Sequence, residues 1–302
     1  MPETIRLIQF RAAYNLPVHA GLETGIFARH GIALETAFTP GSAHTSRLLK
    51  EGLFHIGHTG ADDIVADVED HPDSDLFIFM GLHSGLFGLV ASPDVPDIDS
   101  LKGRCLGVDA RTSGFVLVLE KMLRAKGFGA KDYQLMEIGG WESRYQALRE
   151  GIIAATLLTH PYMEEALSSG CRLLAHVSEM SPVYLATCGT ASRGWAQQNG
   201  KLLVRYIQSY VEATAWCIDI RHRKECLDLL ARHNGIVGPA AEQTLASLLD
   251  PHRGLYPDAT LNLPGIEAVI RLRAEMGYLK KPLPSAEKYV DPLYHRQAMQ
   301  LC

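Results

Sequence analysis

A chain of 302 residues and 33.2 kDa is too long for one small core and long enough for two domains or one large α/β unit. With 47% hydrophobic and 21% charged residues, 29 Lys plus Arg against 34 Asp plus Glu, and a net charge of −5, it lies near the average of packed globular proteins. That balance argues against a basic nucleic-acid binder or a polybasic membrane-surface protein, and no run of about 20 apolar residues offers a bilayer span.

Apolar and amphipathic runs alternate through the first half. Residues 5–10 predict a strand, 17–30 a helix stopped by Gly31, 32–39 a strand, 42–51 a helix stopped by Gly52, and 54–58 a strand. A helix over 59–68 follows, with Thr59 as its N-cap and Asp62 and Asp63 in its first turn. Residues 75–81 predict another strand. A second series repeats the order: apolar residues 88–92, a turn at 93–97, a strand at 104–108, a helix at 112–126, a strand at 133–138, a helix at 141–150 and a strand at 152–158. It closes with a helix at 161–169 and a short strand at 171–176, before a strand at 183–188 returns toward the first series. Helices alone follow, at 201–220, 223–233, 240–249 and 263–276.

Strands separated by helices of this length call for right-handed crossovers and mostly parallel sheets. The expected architecture is α/β and two-lobed, each lobe a mixed, mostly parallel sheet flanked by helices. Residues 1–86 and 184–302 form the first lobe and 87–183 an inserted second one. Open α/β sheets bind ligands beyond the carboxyl ends of their strands, so two facing lobes predict a cleft between the loops at 12–17, 39–45, 58–63 and 82–86 and those at 109–114, 139–144 and 159–162. Candidate ligand-binding residues on these loops are Tyr14, Asn15, Leu16, Ser42, His44, Thr59, Gly60, Ser84, Arg111, Thr112, Ser113, Gly114, Trp141 and His160.

Residues 111–114 combine a guanidinium, two hydroxyls and free N–H groups at a helix start, which suits a carboxylate, sulfonate or phosphate; a capped helix beside a solvated arginine is the alternative. Tyr14, Trp141 and Tyr162 offer rings to a planar ligand. His44 and His160 stand near helix starts, where a histidine orients an acid or serves as a general base. His55, His58, Asp62 and Asp63 do not share the spacing of a metal site, and no metal or cofactor is expected. Glycine-rich phosphate loops and a G-x-S-x-G nucleophile elbow are absent from the sequence. Six scattered cysteines, Cys105, Cys171, Cys188, Cys217, Cys226 and Cys302, contain no Cys-x-x-Cys pair and read mostly as small buried residues. The first strand begins almost at the N-terminus, without the basic start, apolar stretch and cleavage site of a secretory signal. The chain as it stands is expected to be cytoplasmic, or periplasmic if a signal has been removed.

Four segments resemble the periplasmic-type (type II) substrate-binding proteins: GLETGIFARHG at 21–31, LKEGLFHIGHT at 49–59, IDSLKGR at 98–104 followed by Gly107-Val108, and ALREGIIAA at 147–155. The similarity follows the family's order from residue 5 to about 190 and is greatest to its aliphatic-sulfonate and thiamine-pyrimidine-precursor binding branch. The resemblance implies a receptor that closes two lobes on a small ligand, anionic or aromatic, such as a sulfonate, carboxylate or pyrimidine. It also implies membrane subunits of an ABC transporter as partners, with neither nucleic acid nor membrane insertion involved. Two enzyme branches share the fold. The thiamine pyrimidine synthases carry a cysteine-rich loop that this sequence lacks. Residues 139–144 (GGWESR) look like a segment of the aromatic sulfinate desulfinases, with His44 and Gly60 near their active-site histidine and glycine. The nucleophilic cysteine would fall at about Leu16 and the arginine at about His58. The alternative function is a cytoplasmic enzyme on the same fold, an aromatic-acid decarboxylase or desulfinase-like lyase with His44 as acid/base and Arg111 as anion clamp, or a protein similar to the thiamine pyrimidine synthases without the cysteine-rich loop.

Overall fold

The computed structural model describes residues 2–111, 113–180 and 183–300. Its strands are β1 (Glu3–Gln9), β2 (Ile32–Phe38), β3 (Ile56–Gly60), β4 (Leu76–His83), β5 (Phe87–Ala91), β6 (Cys105–Val108), β7 (Gln134–Glu137), β8 (Ala155–Thr159), β9 (Arg172–His176) and β10 (Thr187–Ser192). They form two five-stranded sheets, ordered β2-β1-β3-β10-β4 and β7-β6-β8-β5-β9. In the first, only β10 runs against its neighbours; in the second, only β5 does. Each sheet is therefore mixed and mostly parallel, and the two-lobed architecture expected from the sequence is present.

The connecting helices are α1 (Leu16–Glu23), α2 (Ile26–Arg29), α3 (Ser42–Lys50) and α4 (Ala61–Asp70) in the first lobe, then α5 (Gly114–Ala125), α6 (Trp141–Arg149), α7 (Tyr162–Ser168) and α8 (Val177–Met180) around the second. The tail supplies α9 (Arg193–Gln198), α10 (Gly200–Ile218), α11 (Arg223–Asn234), α12 (Gly238–Leu248), α13 (Leu263–Glu275) and α14 (Pro292–Gln300). Behind the first sheet, Ile5, Leu7, Ile56, Phe77 and Phe79 bury against Tyr206, Ile207 and Tyr210 of α10. A second core passes through the lobe junction without a break, from Phe10 and Tyr14 to Phe87, Leu89, Leu117 and Trp141, and on to Ile266 and Val269 of α13. Burial of a large apolar side chain contributes roughly 1.5–3 kcal/mol, so this shared core holds the two lobes together.

Several boundaries differ from the sequence expectation. The helix expected over 17–30 is two, because Gly25 adopts φ +73° between α1 and α2, a left-handed conformation that glycine enters without steric cost. Thr59 is not a helix N-cap: β3 continues to Gly60, which precedes α4 in extended conformation. The strand expected at 152–158 starts later, at Ala155, because Gly151 has φ +70° and the Ile152 N–H donates to the Ala147 carbonyl to finish α6. The returning strand is likewise displaced, to Thr187–Ser192. The chain crosses between sheets from β4 to β5 and again from β9 to β10. Among the described residues, no helix is long and apolar enough to cross a membrane.

Candidate functional site

The loops that follow the strands of one sheet meet those of the other at a closed seam. The turn Ala13–Asn15 leads β1 into α1, and the Ala13 N–H donates to the carbonyl of His160, beyond β8 in the other lobe, at 3.0 Å. Tyr14 tilts against His83, at the end of β4, with ring centroids 4.9 Å apart. Across the seam, the rings of Phe87, Phe115 and Trp141 continue this row. Phe87 meets Phe115 edge-on at 4.9 Å and stacks near Trp141 at 5.8 Å. The Arg144 guanidinium lies 4.3 Å from the centre of the Trp141 ring. It donates to the carbonyls of Gly139 and Leu157.

Polar atoms among these rings lack partners. The Asn15 amide donates to the Phe10 carbonyl at 2.7 Å, leaving Asn15 Oδ1 without a donor. Both ring nitrogens of His83 and Nε1 of Trp141 are also buried without a hydrogen bond among the described residues. Each such orphan costs about 1–3 kcal/mol of lost solvation, and native cores keep few of them. His160 Nδ1 stands 2.5 Å from Glu164 Oε1, both side chains nearly inaccessible.

Beside the aromatic row lies an acidic layer at the start of α4. Asp63 Oδ2 accepts from the Thr59 hydroxyl at 2.9 Å and the Gly60 N–H at 3.0 Å. Asp62 Oδ2 accepts from Arg273 Nη1, on α13, at 2.8 Å. Burial raises Asp62 to about 7 despite the pull of Arg273, and raises Asp63 to about 6 despite hydrogen bonds from Ser42 and Thr59. The start of α5 closes onto this layer: a Cβ on Gly114 would lie 2.3 Å from Asp62 Cβ. A cavity of about 440 Å³ opens alongside, its wall including Ser42, His44, Asp63, Asp67, Asp109 and Ser113.

Of the residues singled out from the sequence, Tyr14, Asn15, Trp141 and His160 come together at the aromatic row, while Ser42, Thr59, Gly60, Ser113 and Gly114 surround the acidic layer. Ser113 caps α5 and its hydroxyl donates to Asp109 at 2.6 Å. His44 lines the cavity, its Nδ1 3.3 Å from the Arg47 guanidinium. Leu16 is fully buried apolar packing, and Ser84 is buried. Arg111 is placed elsewhere. Its N–H donates to Glu137 Oε1 and its guanidinium to the Leu135 carbonyl, so the side chain lies exposed along β7 rather than in the cavity wall. Thr112 lies outside the described residues. His83, Phe87, Phe115, Arg144 and the Asp62–Arg273 pair had not been singled out. The loop at 82–86 was the available signal for His83. Arg273, 211 positions from Asp62, offered none. Among the described residues, no cluster of His, Cys, Asp and Glu is arranged to hold a metal ion.

Burial, with His160 adding to it, lowers His83 from 6.5 to about 3; burial alone does the same to His58, whose Nε2 lies 2.9 Å from the Tyr206 hydroxyl. The folded chain keeps these rings neutral while the unfolded chain protonates them below about 6.5. Their contribution is complete above that pH and falls by about 1.4 kcal/mol per unit per ring down to about pH 3. Asp62 and Asp63 act in the opposite sense, since a raised carboxylate favours the folded state as pH falls. A His83→Gln chain is therefore expected to gain on the parent between pH 6.5 and 4, read as the difference in urea unfolding free energy. A pH-independent difference would count against a neutral, buried His83.

A search of curated protein sequences finds no match. Solved structures that superpose on the chain include the alkanesulfonate-binding protein SsuA from Xanthomonas axonopodis pv. citri bound to MOPS, 18% identical, covering 96% of this chain and 98% of that one with a TM-score of 0.79. The periplasmic nitrate-binding protein NrtA from Synechocystis PCC 6803 is 13% identical, over 99% and 89% of the two chains, with a TM-score of 0.83. The desulfurization enzyme DSZB is 17% identical, over 99% of each chain, with a TM-score of 0.68. At these identities the likeness is one of fold. The sequence itself matches the model of the NMT1-like family over residues 3–231, most of its length, and the chain belongs to that family.

Proposed function

We propose that this protein is a small-molecule receptor whose lobes, residues 1–86 with 184–302 and residues 87–183, close on a compact planar ligand. One observation carries the reading. Asn15 and His83 from one lobe and Trp141 from the other bring unpartnered hydrogen-bonding atoms into a single aromatic row. A ligand lying between those rings would satisfy atoms of both lobes at once, and contacts made only in the closed state are what drive hinge closure. Fold relatives that bind alkanesulfonate and nitrate, and a ligand-binding component of an ABC-type import system from Staphylococcus aureus, agree with a receptor role. Delivery to the membrane subunits of an ABC importer, on the outer side of the membrane, completes the proposal.

Within the class of small anionic or aromatic ligands, the rings and the lack of a free guanidinium beside them among the described residues favour a planar ring such as a pyrimidine over an aliphatic sulfonate. Arg144 is committed to two carbonyls and Arg273 to Asp62, while Asp62 and Asp63 add negative charge nearby. The lyase alternative draws less support: the Arg111 guanidinium is held by the Leu135 carbonyl instead of lining the cavity beside His44, and the position matching a desulfinase nucleophile is the apolar Leu16.

Calorimetric titration against sulfonates, aromatic acids and pyrimidines tests the reading. At least one aromatic member is expected to bind with a Kd well below millimolar and to change the tryptophan emission. That change should vanish in Trp141→Phe, which leaves Trp195 and Trp216 in place. No member binding more tightly than millimolar would overturn the proposal.

A further inference from the structure

Cys217 lies in the last turn of α10 and Cys226 in the first turns of α11, and the turn Ile220–His222 folds the chain back between them. Both side chains are buried. The Cys226 thiol donates to the Cys217 carbonyl, with Sγ 3.7 Å from that oxygen. The other described cysteines are placed differently: Cys105 and Cys171 are half-buried, and the Cys188 thiol donates to the Thr59 carbonyl.

We propose that Cys217 and Cys226 form a redox-active dithiol, oxidised by a small-molecule disulfide to an intrachain disulfide that joins the end of α10 to the start of α11. In the first step the Cys226 thiol gives its proton to solvent. The thiolate attacks one sulfur of the oxidant, forming a mixed disulfide and releasing one thiolate. The Cys217 thiol passes its proton to the thiolate just released, and its sulfur attacks the Cys226 sulfur and displaces the second, which takes up the proton that Cys226 gave to solvent. Two protein thiols are oxidised and one external disulfide is reduced to two thiols.

The two sulfurs are suited to different parts. Cys226 lies near the positive end of α11, three residues after Arg223, a setting that favours a thiolate; the Cys217 hydrogen bond lowers its pKa, while Cys217 itself is pushed up. Access requires only local opening, because Ile218, Ile220 and Arg221 at the corner are exposed. The far end of α11 reaches the seam: Arg232 and His233 pair with Glu23 and border a cavity of about 410 Å³ shared with Glu142, Tyr145 and Glu165 of the other lobe. Oxidation would thus anchor one end of a helix whose other end faces the moving lobe.

The full chain, folded, is incubated with oxidised glutathione or with dithiothreitol and digested by trypsin without reduction. The two cysteines fall in separate peptides, 206–221 and 225–232. With glutathione disulfide these are expected as one species lighter than their sum by two hydrogens, absent after dithiothreitol and absent in Cys217→Ser. The oxidised parent should melt about 4 °C above its reduced form, a shift that Cys217→Ser abolishes. Glutathione adducts without the linked peptides, or linkage only after unfolding in urea, would overturn the proposal.

Discussion

Arg273→Met is expected to cost about 3–5 kcal/mol of folding stability, the range for removing one partner of a buried ion pair. Arg273 is 2% exposed and Asp62 3%, so water cannot replace the missing guanidinium. The pair ties α13 to α4 across 211 positions of chain, and the arginine also lies 5.4 Å from the Tyr278 ring centre. Loss of the cation leaves Asp62 facing burial and the nearby Asp63 and Asp109 charges, all of which favour its protonated form. The folded variant therefore holds a proton that the unfolded chain releases, and stability must fall as pH rises through the carboxylate range. The deficit is expected to be larger at pH 8 than at pH 5, with Asp62→Asn/Arg273→Met recovering part of it. Urea unfolding of the two single variants and the double reads the cycle. A loss below about 1 kcal/mol with no pH dependence would mean that the pair is solvated.

Gly114→Val should act on closure. Its first added carbon would overlap Asp62 Cβ at 2.3 Å and Asp62 Cγ at 2.5 Å, and Asp62 cannot retreat without leaving Arg273. A penalty of about 2–3 kcal/mol on the closed arrangement, typical of overpacking, converts to a roughly 30- to 150-fold weaker apparent affinity when the closed form binds. Small-angle scattering should report a larger radius of gyration in the variant. Gly129→Ala, where the nearest atom is 3.6 Å away, serves as the control. An unchanged affinity and radius in Gly114→Val would show that binding does not require the two lobes to meet there.

Much of the fold was legible in the sequence because it follows from local chemistry. Apolar strand runs, glycines after helices, and acidic residues in the first turn of α4 each act within a few positions. The mostly parallel direction of the strands followed from crossover rules. The displaced boundaries arose where one residue type serves two structures. Thr59 can cap a helix or extend a strand, and pairing with β10 decided for the strand. The site was legible as a set of loops and illegible as a set of side chains. Arg111 has the chemistry of an anion clamp, but the nearby Leu135 carbonyl and Glu137 carboxylate claim it. His83 carries no pattern in sequence; its place in the row follows from β4 ending at the crossing between sheets.

The strand order has a consequence for biosynthesis. All strands of the second sheet, β5 to β9, lie consecutively in the chain, so that sheet can be assembled once residue 176 has left the ribosome. The first sheet cannot. Its β4 reaches β3 only through β10, and until residue 192 emerges the buried, wholly apolar Leu76–Met80 segment of β4 lacks a strand neighbour. The unit whose strands begin first in the chain is thus the one finished last. In the interval the nascent protein exposes a five-residue apolar stretch of strand, a segment of the kind that aggregates when left unpaired.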